Sequence, residues 1–496
     1  MGIIQKQAIS GTIFSYLGVV LGFVSTGLLL PNIFNTAENG LLKLIVSYSL
    51  LFAQFGSLGF GNVVMRMFTY FRNKEKQHNG FFFLILLILF LGFGVAVLTF
   101  YIAKPIIIAK SIENSALFLD YLYFLMPLVF FTLAFYLFDA YYTVLYNAVI
   151  GLVLKEFLQR LLILVAIGGY MFNWLNFNTF VAAYVLAMCI PTIVIFIALI
   201  KDGEVFIMPN FKFLSKDLIK TMTLVALFGF LASFSNIAIQ QIDSVMISSF
   251  SGLEATGIYA ITFYFGSLIK IPSRPIQKIA STLLADAWKN NDIQMVKDIY
   301  YKTSINQFII ACLLIIGLWA NIHNVFQILP AEYEAGKYVL LFIALANVLD
   351  MSTGVNIAII SSSKYYKVFT YFMAIFLFLI ITTNYIFIPI WGITGAAFAS
   401  FLSTLISWLL RLVFVYRKFK MQPFNLSFLY VILISVVTLL IGYYLPALNF
   451  YIFDILVRSS IMTIIFMVSI YKLKVSTDIN DKINQLFAIV LKRIKH

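Results

Sequence analysis

The sequence predicts an all-α polytopic membrane protein with about 14 transmembrane helices. The chain of 496 residues is 62% hydrophobic and only 11% charged, whereas soluble proteins are about 45–50% apolar and about 25% charged. Its mean hydropathy is +0.99. Four stretches without Asp, Glu, Lys or Arg exceed the roughly 20 residues that cross a bilayer: 7–37, 161–200, 368–410 and 421–453. These observations exclude a cytosolic enzyme, a secreted disulfide-rich protein and a disordered chain.

Apolar runs, separated by turn residues and charges, set the approximate limits of the spans. Pro389 and Gly392 indicate a turn, so the charge-free stretch 368–410 holds two helices. The predicted spans are 8–31, 41–65, 80–103, 119–145, 150–172, 178–200, 221–249, 256–280, 304–329, 337–361, 368–388, 394–415, 426–446 and 452–470. We therefore expect two pseudo-symmetric six-helix lobes at 1–205 and 206–420, followed at 421–496 by two extra helices and a basic tail.

The distribution of basic residues predicts the orientation. With the N-terminus inside, 29 of the 34 Lys and Arg lie on the cytoplasmic side of the predicted spans, as the positive-inside rule requires. A missing span in the middle would reverse everything after it and destroy this bias. The formal net charge of +14 is thereby explained by topology, and no nucleic acid partner is predicted. Both termini are expected in the cytoplasm.

Short outer loops and scattered metal-binding residue types argue against an enzyme. Glycosyltransferases and polymerases of membranes usually need a large extramembrane loop with acids or arginines, and the sequence offers none. No Walker motif occurs. Cys189 and Cys312 lie in apolar runs, and the three histidines are far apart. We predict no catalytic residues, no metal and no cofactor, and a secondary transporter is the natural class.

Two turns indicate an internal repeat. Residues 34–41 (FNTAENGL) and 250–258 (FSGLEATGI) each precede a predicted span, and aligning Gly40 with Gly257 offsets the two by 217 residues. The alignment matches spans 1 and 2 with spans 7 and 8. It therefore predicts two repeats of six helices in the same orientation.

Two further stretches carry a family resemblance. Residues 1–23, together with 55–62 (FGSLGFGN), resemble bacterial polysaccharide-biosynthesis flippases. Residues 384–400 (NYIFIPIWGITGAAFAS) are similar to a signature between two helices of the multidrug/oligosaccharidyl-lipid/polysaccharide exporter superfamily. Since small residues allow helices to approach closely in lipid, we interpret the second motif as packing and not as a substrate contact.

The resemblance implies two six-helix lobes around a cavity that opens alternately to each side of a bacterial cytoplasmic membrane. It implies a polyprenyl-diphosphate-linked oligosaccharide as substrate, flipped outward for lipopolysaccharide or another surface polysaccharide. Membrane lipids and a polysaccharide polymerase are the other expected partners. A cation-coupled multidrug exporter and a flippase of peptidoglycan lipid precursors stay open as alternatives, and a polytopic glycosyltransferase or polymerase is the alternative from another class.

Basic residues within or beside spans are the candidates for binding diphosphate. Lys270, Arg274 and Lys278 recur every four residues in span 8, and Pro272 and Pro275 are expected to bend that helix. The other two candidates are Arg66, at the inner end of span 2, and Lys43, at its outer end. Snorkelling to lipid headgroups is the competing interpretation for each. For Arg160 and Arg411 we favour such anchoring at the inner surface.

Polar residues on spans 7 and 10 are the candidates for a cavity lining or a coupling-ion site. They are Asn236, Gln240 and Asp243 on span 7, and Asn347 and Asp350 on span 10. Whether H⁺ or Na⁺ is coupled stays open, and so does pairing of these carboxylates with neighbouring helices. On span 14, Asp454 and Arg458 stand four residues apart and predict a structural ion pair.

Overall fold

The computed structural model describes the backbone of residues 2–494 and the side chains of residues 11–110, 115–365 and 367–485. No β-strand occurs in residues 2–494. The first α-helices are α1 Gly2–Gly22, α2 Leu30–Ile33, α3 Thr36–Gly56, α4 Phe60–Phe71, α5 Phe81–Asn114, α6 Ala116–Asp120, α7 Leu125–Val144, α8 Ala148–Leu152, α9 Gln159–Met171 and α10 Phe177–Lys201. Two π-helical segments, Phe23–Leu29 and Val153–Leu158, join α1 to α2 and α8 to α9.

The second half of the chain continues in the same way. Its helices are α11 Lys216–Ser267, α12 Ser273–Lys289, α13 Ile293–Ala320, α14 Ile322–Ile328, α15 Lys337–Ser352, α16 Asn356–Ser362, α17 Tyr366–Phe419, α18 Leu426–Tyr444, α19 Tyr451–Lys472 and α20 Thr477–Ile494. The chain groups into two compact units. Unit 1 runs up to Ile261 and includes Ile388–Ile393, and unit 2 comprises Thr262–Phe387 and the residues from Thr394 on.

The described residues form a multi-pass membrane protein. Ten helical segments are long and apolar enough to cross a membrane, and the pair α3 and α4, bent by 44°, adds an eleventh if it counts as one span. Two of the ten are 55 and 53 residues long. They are interrupted at Gly252 (φ 87°, ψ −178°) and Gly392 (φ 57°, ψ −132°). The predicted fifth span, 150–172, is not among the ten, and it carries Lys155, Glu156 and Arg160. The count of about 14 stays a prediction.

The two turns aligned in the sequence start their helices in the same way. Asn35 (φ −68°, ψ 170°) caps α3, and Gly252, which follows it by the offset of 217 residues, breaks α11 with a similar ψ of −178° but with φ at 87°, of opposite sign. Asn39 Nδ2 donates to the carbonyl of Asn35 at 3.1 Å, and its counterpart Thr256 donates through Oγ1 to the carbonyl of Gly252 at 2.8 Å. The local geometry therefore repeats with the same offset as the sequence.

Gly40 and Gly257 let these two helix starts touch inside unit 1. A Cβ atom at Gly40 would lie 2.0 Å from the carbonyl oxygen of Leu253, and one at Gly257 would lie 1.9 Å from that of Thr36. The two contacts are equivalent under the offset, because Thr36 corresponds to Leu253. Only glycine permits backbones to approach this closely.

Unit 1 encloses an aromatic core and presents apolar side chains outward. Phe68 and Phe81 are fully buried and contact Tyr141, with ring centroids 5.4 and 6.4 Å from it. On α5, Leu98 and Ile102 are more than 60% exposed. An apolar exterior of this kind is expected where lipid is the solvent.

Unit 2 confirms two packing predictions. Arg458 and Asp454 form the expected ion pair, with Nε 3.2 Å from Oδ2, and both side chains are 3% exposed. In the motif after the Gly392 break, Ala396, Ala397 and Ala399 are fully buried. These alanines are therefore shielded from solvent and from lipid, as a packing motif requires.

Gly40→Ala is expected to destabilise the protein by about 1–3 kcal/mol, because the new methyl group forces α3 away from Leu253. The same loss is expected for Gly257→Ala, and the double variant should lose less than the sum, because both changes disrupt one contact. Thermal unfolding of purified protein in lipid nanodiscs measures these losses.

Gly94→Ala and Gly317→Ala are the matched controls, because nothing lies within 4 Å of a Cβ at either position. Both should unfold at or above the wild-type temperature, since alanine favours helices. Equal behaviour of all four variants would refute a close contact at Gly40.

Candidate functional site

Unit 2 holds a group of three charges, of which Arg411 is buried and Lys270 is half-exposed. Asp350 on α15 accepts from Lys270 Nζ through Oδ2 at 2.6 Å and from Arg411 Nη2 through Oδ1 at 2.9 Å. The side chain of Arg411 is 4% exposed and that of Asp350 14%, whereas that of Lys270 is 45% exposed. Two cations share one carboxylate, so this triad carries a net charge of about +1. Lys270 is the member through which this charge is exposed.

A helix interruption brings Lys270 to Asp350. The last turn before Pro272, Leu268–Lys270, is a 3₁₀ helix, and a new helix, α12, starts at Ser273. Just before it, Gly266 lies against α15, where a Cβ would be 3.0 Å from the carbonyl oxygen of Leu340. The predicted bend in this segment is confirmed.

Asn347 also joins α15 to the end of α11. Its Nδ2 donates to the carbonyl of Gly266 at 3.2 Å. This bond ties α15 to the segment that ends in Lys270 and stands one turn from Asp350. The structure thus unites Asn347, Asp350 and Lys270, which the sequence analysis had proposed for separate roles.

Arg411 was misinterpreted from the sequence as an anchor at the membrane surface. Its guanidinium is buried, donating to Asp350 and through Nε to the carbonyl of Ser407 at 3.3 Å. A single arginine near the end of an apolar span resembles an anchor, and only the fold shows that an acid 61 residues away faces it. Arg160 pairs with Glu156 on its own helical segment, at 2.7 Å.

Arg274 and Lys278 lie beyond the interruption on α12 and are exposed. They are four residues apart, so they share one face of this helix, while Ala280, Leu284 and Ala287 are buried. No described residue forms an ion pair with either cation, and none forms a hydrogen bond with either side chain. Lys270 is separated from them by the break. The three basic residues therefore differ: one is oriented by a partner, and two are presented to the surroundings.

In unit 1, Lys43 lies on a polar seam between α3 and α11. Lys43 Nζ and Ser47 Oγ donate to Gln241 Oε1 at 2.9 and 3.0 Å. Further along, Gln54 Nε2 donates to Ser233 Oγ at 2.9 Å. Gln241 was missed in the sequence, although its spacing of eight residues from Ser233 places both on one face of a helix.

The polar residues predicted on span 7 do not form a single stripe. Asp243 is 4% exposed and accepts from the hydroxyl of Tyr259 at 2.7 Å. Asn236 and Gln240 are exposed, and Gln240 Nε2 donates to the carbonyl of Asn236 at 3.2 Å. The structure thus separates one buried acid from two exposed amides.

Arg66 is exposed on α4, which begins at Phe60, within the FGSLGFGN stretch. Gly59 (φ 72°) turns the chain there, and a Cβ on it would lie 2.1 Å from the carbonyl oxygen of Ala226 on α11. On α11, a Cβ atom at Gly229 would lie 2.5 Å from the Cβ atom of Asn62. The glycines of this stretch therefore set the direction of α4 and, with it, the position of Arg66.

A sequence comparison shows the family. A family model described as polysaccharide biosynthesis protein matches residues 4–280, more than half of the chain. A comparison with curated protein sequences gives no match.

Solved structures share the fold. The lipid II flippase MurJ in an inward closed conformation matches with a TM-score of 0.75 at 14% identity, over 94% of this chain and all of that one. An inward-facing multidrug resistance MATE family transporter of the MOP superfamily gives a TM-score of 0.61 at 13% identity, over 82% of this chain and 98% of its own. The chain therefore belongs to the polysaccharide biosynthesis protein family, and it shares its fold with these two solved transporters.

Proposed function

We propose that this protein flips a polyprenyl-diphosphate-linked oligosaccharide from the inner to the outer leaflet of a bacterial cytoplasmic membrane by alternating access. The observation that carries the proposal is the set of basic side chains around the helix interruption in unit 2. Lys270 is oriented by Asp350, and Arg274 and Lys278 are exposed beyond it. The family assignment supports a substrate in polysaccharide biosynthesis, and lipopolysaccharide or another surface glycan is the proposed end product.

The chemistry of such a substrate explains the need for these cations. A diphosphate and a hydrated sugar cannot enter hydrocarbon alone, because an unpaired charge there is very costly. Lysine and arginine form charge-assisted hydrogen bonds with phosphate oxygens. Lys270 already donates to Asp350, so a bound diphosphate would share this ammonium with the carboxylate. Arg411, behind Asp350, would keep that carboxylate in place throughout.

The membrane potential provides part of the driving force. Moving one negative charge outward from a negative interior gains about 2.3 kcal/mol per 100 mV. A substrate with a diphosphate group therefore favours outward movement. H⁺ or Na⁺ coupling would add to this gain.

The proposed topology has fourteen spans, six in each lobe (1–205 and 206–420) and two in 421–496, with both termini in the cytoplasm. The breaks at Gly252 and Gly392 support it, because each divides a helix more than twice as long as a bilayer requires. Counting the bent pair α3–α4 and the charged segment 148–171 as spans completes the number.

A flippase of peptidoglycan lipid precursors is the second candidate, because the fold matches the lipid II flippase MurJ with a TM-score of 0.75. Lipid II also carries a diphosphate, so the site in unit 2 serves both candidates. The exposed cations argue against a cationic drug as substrate. A direct assay has to decide between the two lipids.

Arg274→Ala is expected to reduce flipping at least about tenfold, because a hydrogen bond between charged groups contributes about 1.5–3 kcal/mol. The assay uses the purified protein in liposomes that contain a fluorescent polyprenyl-diphosphate oligosaccharide, and a membrane-impermeant reductant quenches the probe that reaches the outer face. Arg274→Lys should restore part of the rate, since it keeps the charge.

Lys289→Ala, an exposed lysine at the end of the same helix, is the matched control and should flip at the wild-type rate. Transport of cationic dyes without the lipid-linked sugar would contradict the proposed function. Transport of lipid II in preference to the oligosaccharide would favour the second candidate. A wild-type rate for Arg274→Ala would refute the site alone.

Asp350→Asn is expected to cost about 3–5 kcal/mol of unfolding free energy, because it leaves the Arg411 guanidinium buried beside a neutral amide. The double variant Asp350→Asn with Arg411→Met should recover most of that loss. Lys270→Met alone should stay within about 1 kcal/mol of wild type, since Lys270 is half-exposed. Unfolding in nanodiscs gives all three values, and an undiminished stability of Asp350→Asn would contradict the buried triad.

The orientation can be tested with single cysteines in a variant that lacks Cys189 and Cys312. A membrane-impermeant maleimide added to intact cells should label Glu332→Cys, and should label Asn291→Cys only after the membrane is permeabilised. Both positions are exposed, and α13 lies between them. Labelling of both from the same side would contradict the topology.

A further inference from the structure

The carboxylates within or near the spanning helices have different surroundings. Asp350 is held by two cations, Asp454 by Arg458, and Asp243 accepts from Tyr259. Glu156 pairs with Arg160 at 2.7 Å. Asp139 on α7 differs, because no described residue forms a hydrogen bond or an ion pair with its side chain.

Asp139 lies against a glycine instead of a hydrogen-bond donor. A Cβ atom at Gly151, on α8, would be 1.6 Å from Asp139 Oδ1 and 2.4 Å from its Cγ. The carboxyl group thus occupies the space beside Gly151 that a side chain there would fill. No described residue in this place donates a hydrogen bond to stabilise its negative charge.

Lys155 is the opposite charge that interacts with Asp139. Its ammonium lies over the ring of Phe135, one turn from Asp139 on α7, at 4.6 Å from the ring centroid. It interacts electrostatically with Asp139 without touching it. Both side chains are partly exposed, so water can reach them.

Lys155 belongs to the π-helical segment Val153–Leu158. Such a segment takes an extra residue per turn, and π-bulges are frequent at functional sites. The backbone of Glu156 lies close to α1: a Cβ atom built at Gly18 would be 2.5 Å from the carbonyl oxygen of Glu156. Arg160 donates to Glu156 and to the carbonyl of Gly18. Lys155, one residue earlier, interacts with α7 and α10.

The other titratable groups on the packed elements do not satisfy Asp139. On α10, Cys189 is buried and interacts electrostatically with Lys155. On α7, Tyr142 donates to Asp202 and Tyr141 to the carbonyl of Glu204. Glu156 and Arg160 neutralise each other. Lys155 is therefore the charge that acts on Asp139 among the described side chains.

We propose that Asp139 and Lys155 form a proton-binding site in unit 1. Its deprotonated form is a carboxylate beside an ammonium, with a net charge of zero. Its protonated form is a carboxylic acid beside the same ammonium, with a net charge of +1. The proton comes from water and is bound by a carboxylate oxygen of Asp139, while Lys155 keeps its own proton.

Two opposing effects make both forms accessible. Low polarity and the lack of donors favour the neutral acid, whereas the nearby ammonium favours the carboxylate. A coupling ion for transport needs such a balance, because it must be bound and released in each cycle. This last step rests on the proposed flippase function, but proton binding itself does not.

Infrared difference spectroscopy of the full chain in lipid nanodiscs, without any substrate, tests the site. Lowering the pD from about 8 to about 6 should produce the C=O stretching band of a carboxylic acid, while exposed carboxylates, with pKa values near 4, stay ionised. Asp139→Asn should lose this band. Glu156→Gln, which removes a neighbouring paired carboxylate, should keep it.

Asp139→Glu keeps a carboxyl group and serves if the asparagine variant does not fold; its band should appear at a shifted frequency. The absence of a wild-type band in this range would overturn the proposal, as would its persistence in Asp139→Asn or an unshifted band in Asp139→Glu. Because no lipid-linked sugar is present, a negative spectrum leaves the flippase assay unaffected, and a negative flippase assay leaves the spectrum valid.

Discussion

A charge inside a membrane needs a partner, and this constraint explains how the charged side chains of the spanning helices are paired. Water is not available in the hydrocarbon region, so an isolated ion is strongly disfavoured. Asp454 meets Arg458 within one helix, and Asp350 binds two cations from elements distant in sequence. The second arrangement leaves one positive charge that Asp350 does not neutralise, and it orients the half-exposed Lys270 side chain. The candidate phosphate site is a product of the same pairing that makes the fold stable.

Glycine contacts bring these partners into reach. Between lipid-embedded helices the hydrophobic effect contributes little, and close backbone packing takes its place. Gly266 brings the end of α11 against α15, next to the bond from Asn347. Gly40 and Gly257 make an equivalent contact in unit 1, near the seam where Lys43 meets Gln241. Each polar contact is thus supported by a place where two backbones almost touch.

The parts predictable from sequence are those encoded within one helix. Apolar runs predict the helices, Gly392 with Pro389 predicts a break, and spacing alone pairs Asp454 with Arg458. The pair Lys270–Asp350 spans 80 residues, and no local pattern specifies such a contact. Arg411 was misjudged for the same reason, because an arginine near a helix end looks identical whether it faces headgroups or a buried acid. The number of spans depends on two segments, the bent pair α3–α4 and the charged segment 148–171, which are not among the ten apolar helices.

Fixed and variable charges have different uses in a transporter of an anionic lipid. Lys270 and Arg411 carry one positive charge more than Asp350 cancels, and both donate to that carboxylate, at 2.6 and 2.9 Å. In the proposed cycle this excess would attract a diphosphate, but it would not by itself make release easier than binding. A directional cycle needs another group whose charge changes between steps. In our proposal, Asp139, which has no direct partner among the described side chains, is that group. In this proposal Asp350 orients the cations of the candidate phosphate site and Asp139 binds the proton. Such a division is consistent with the two ion pairs that Asp350 forms.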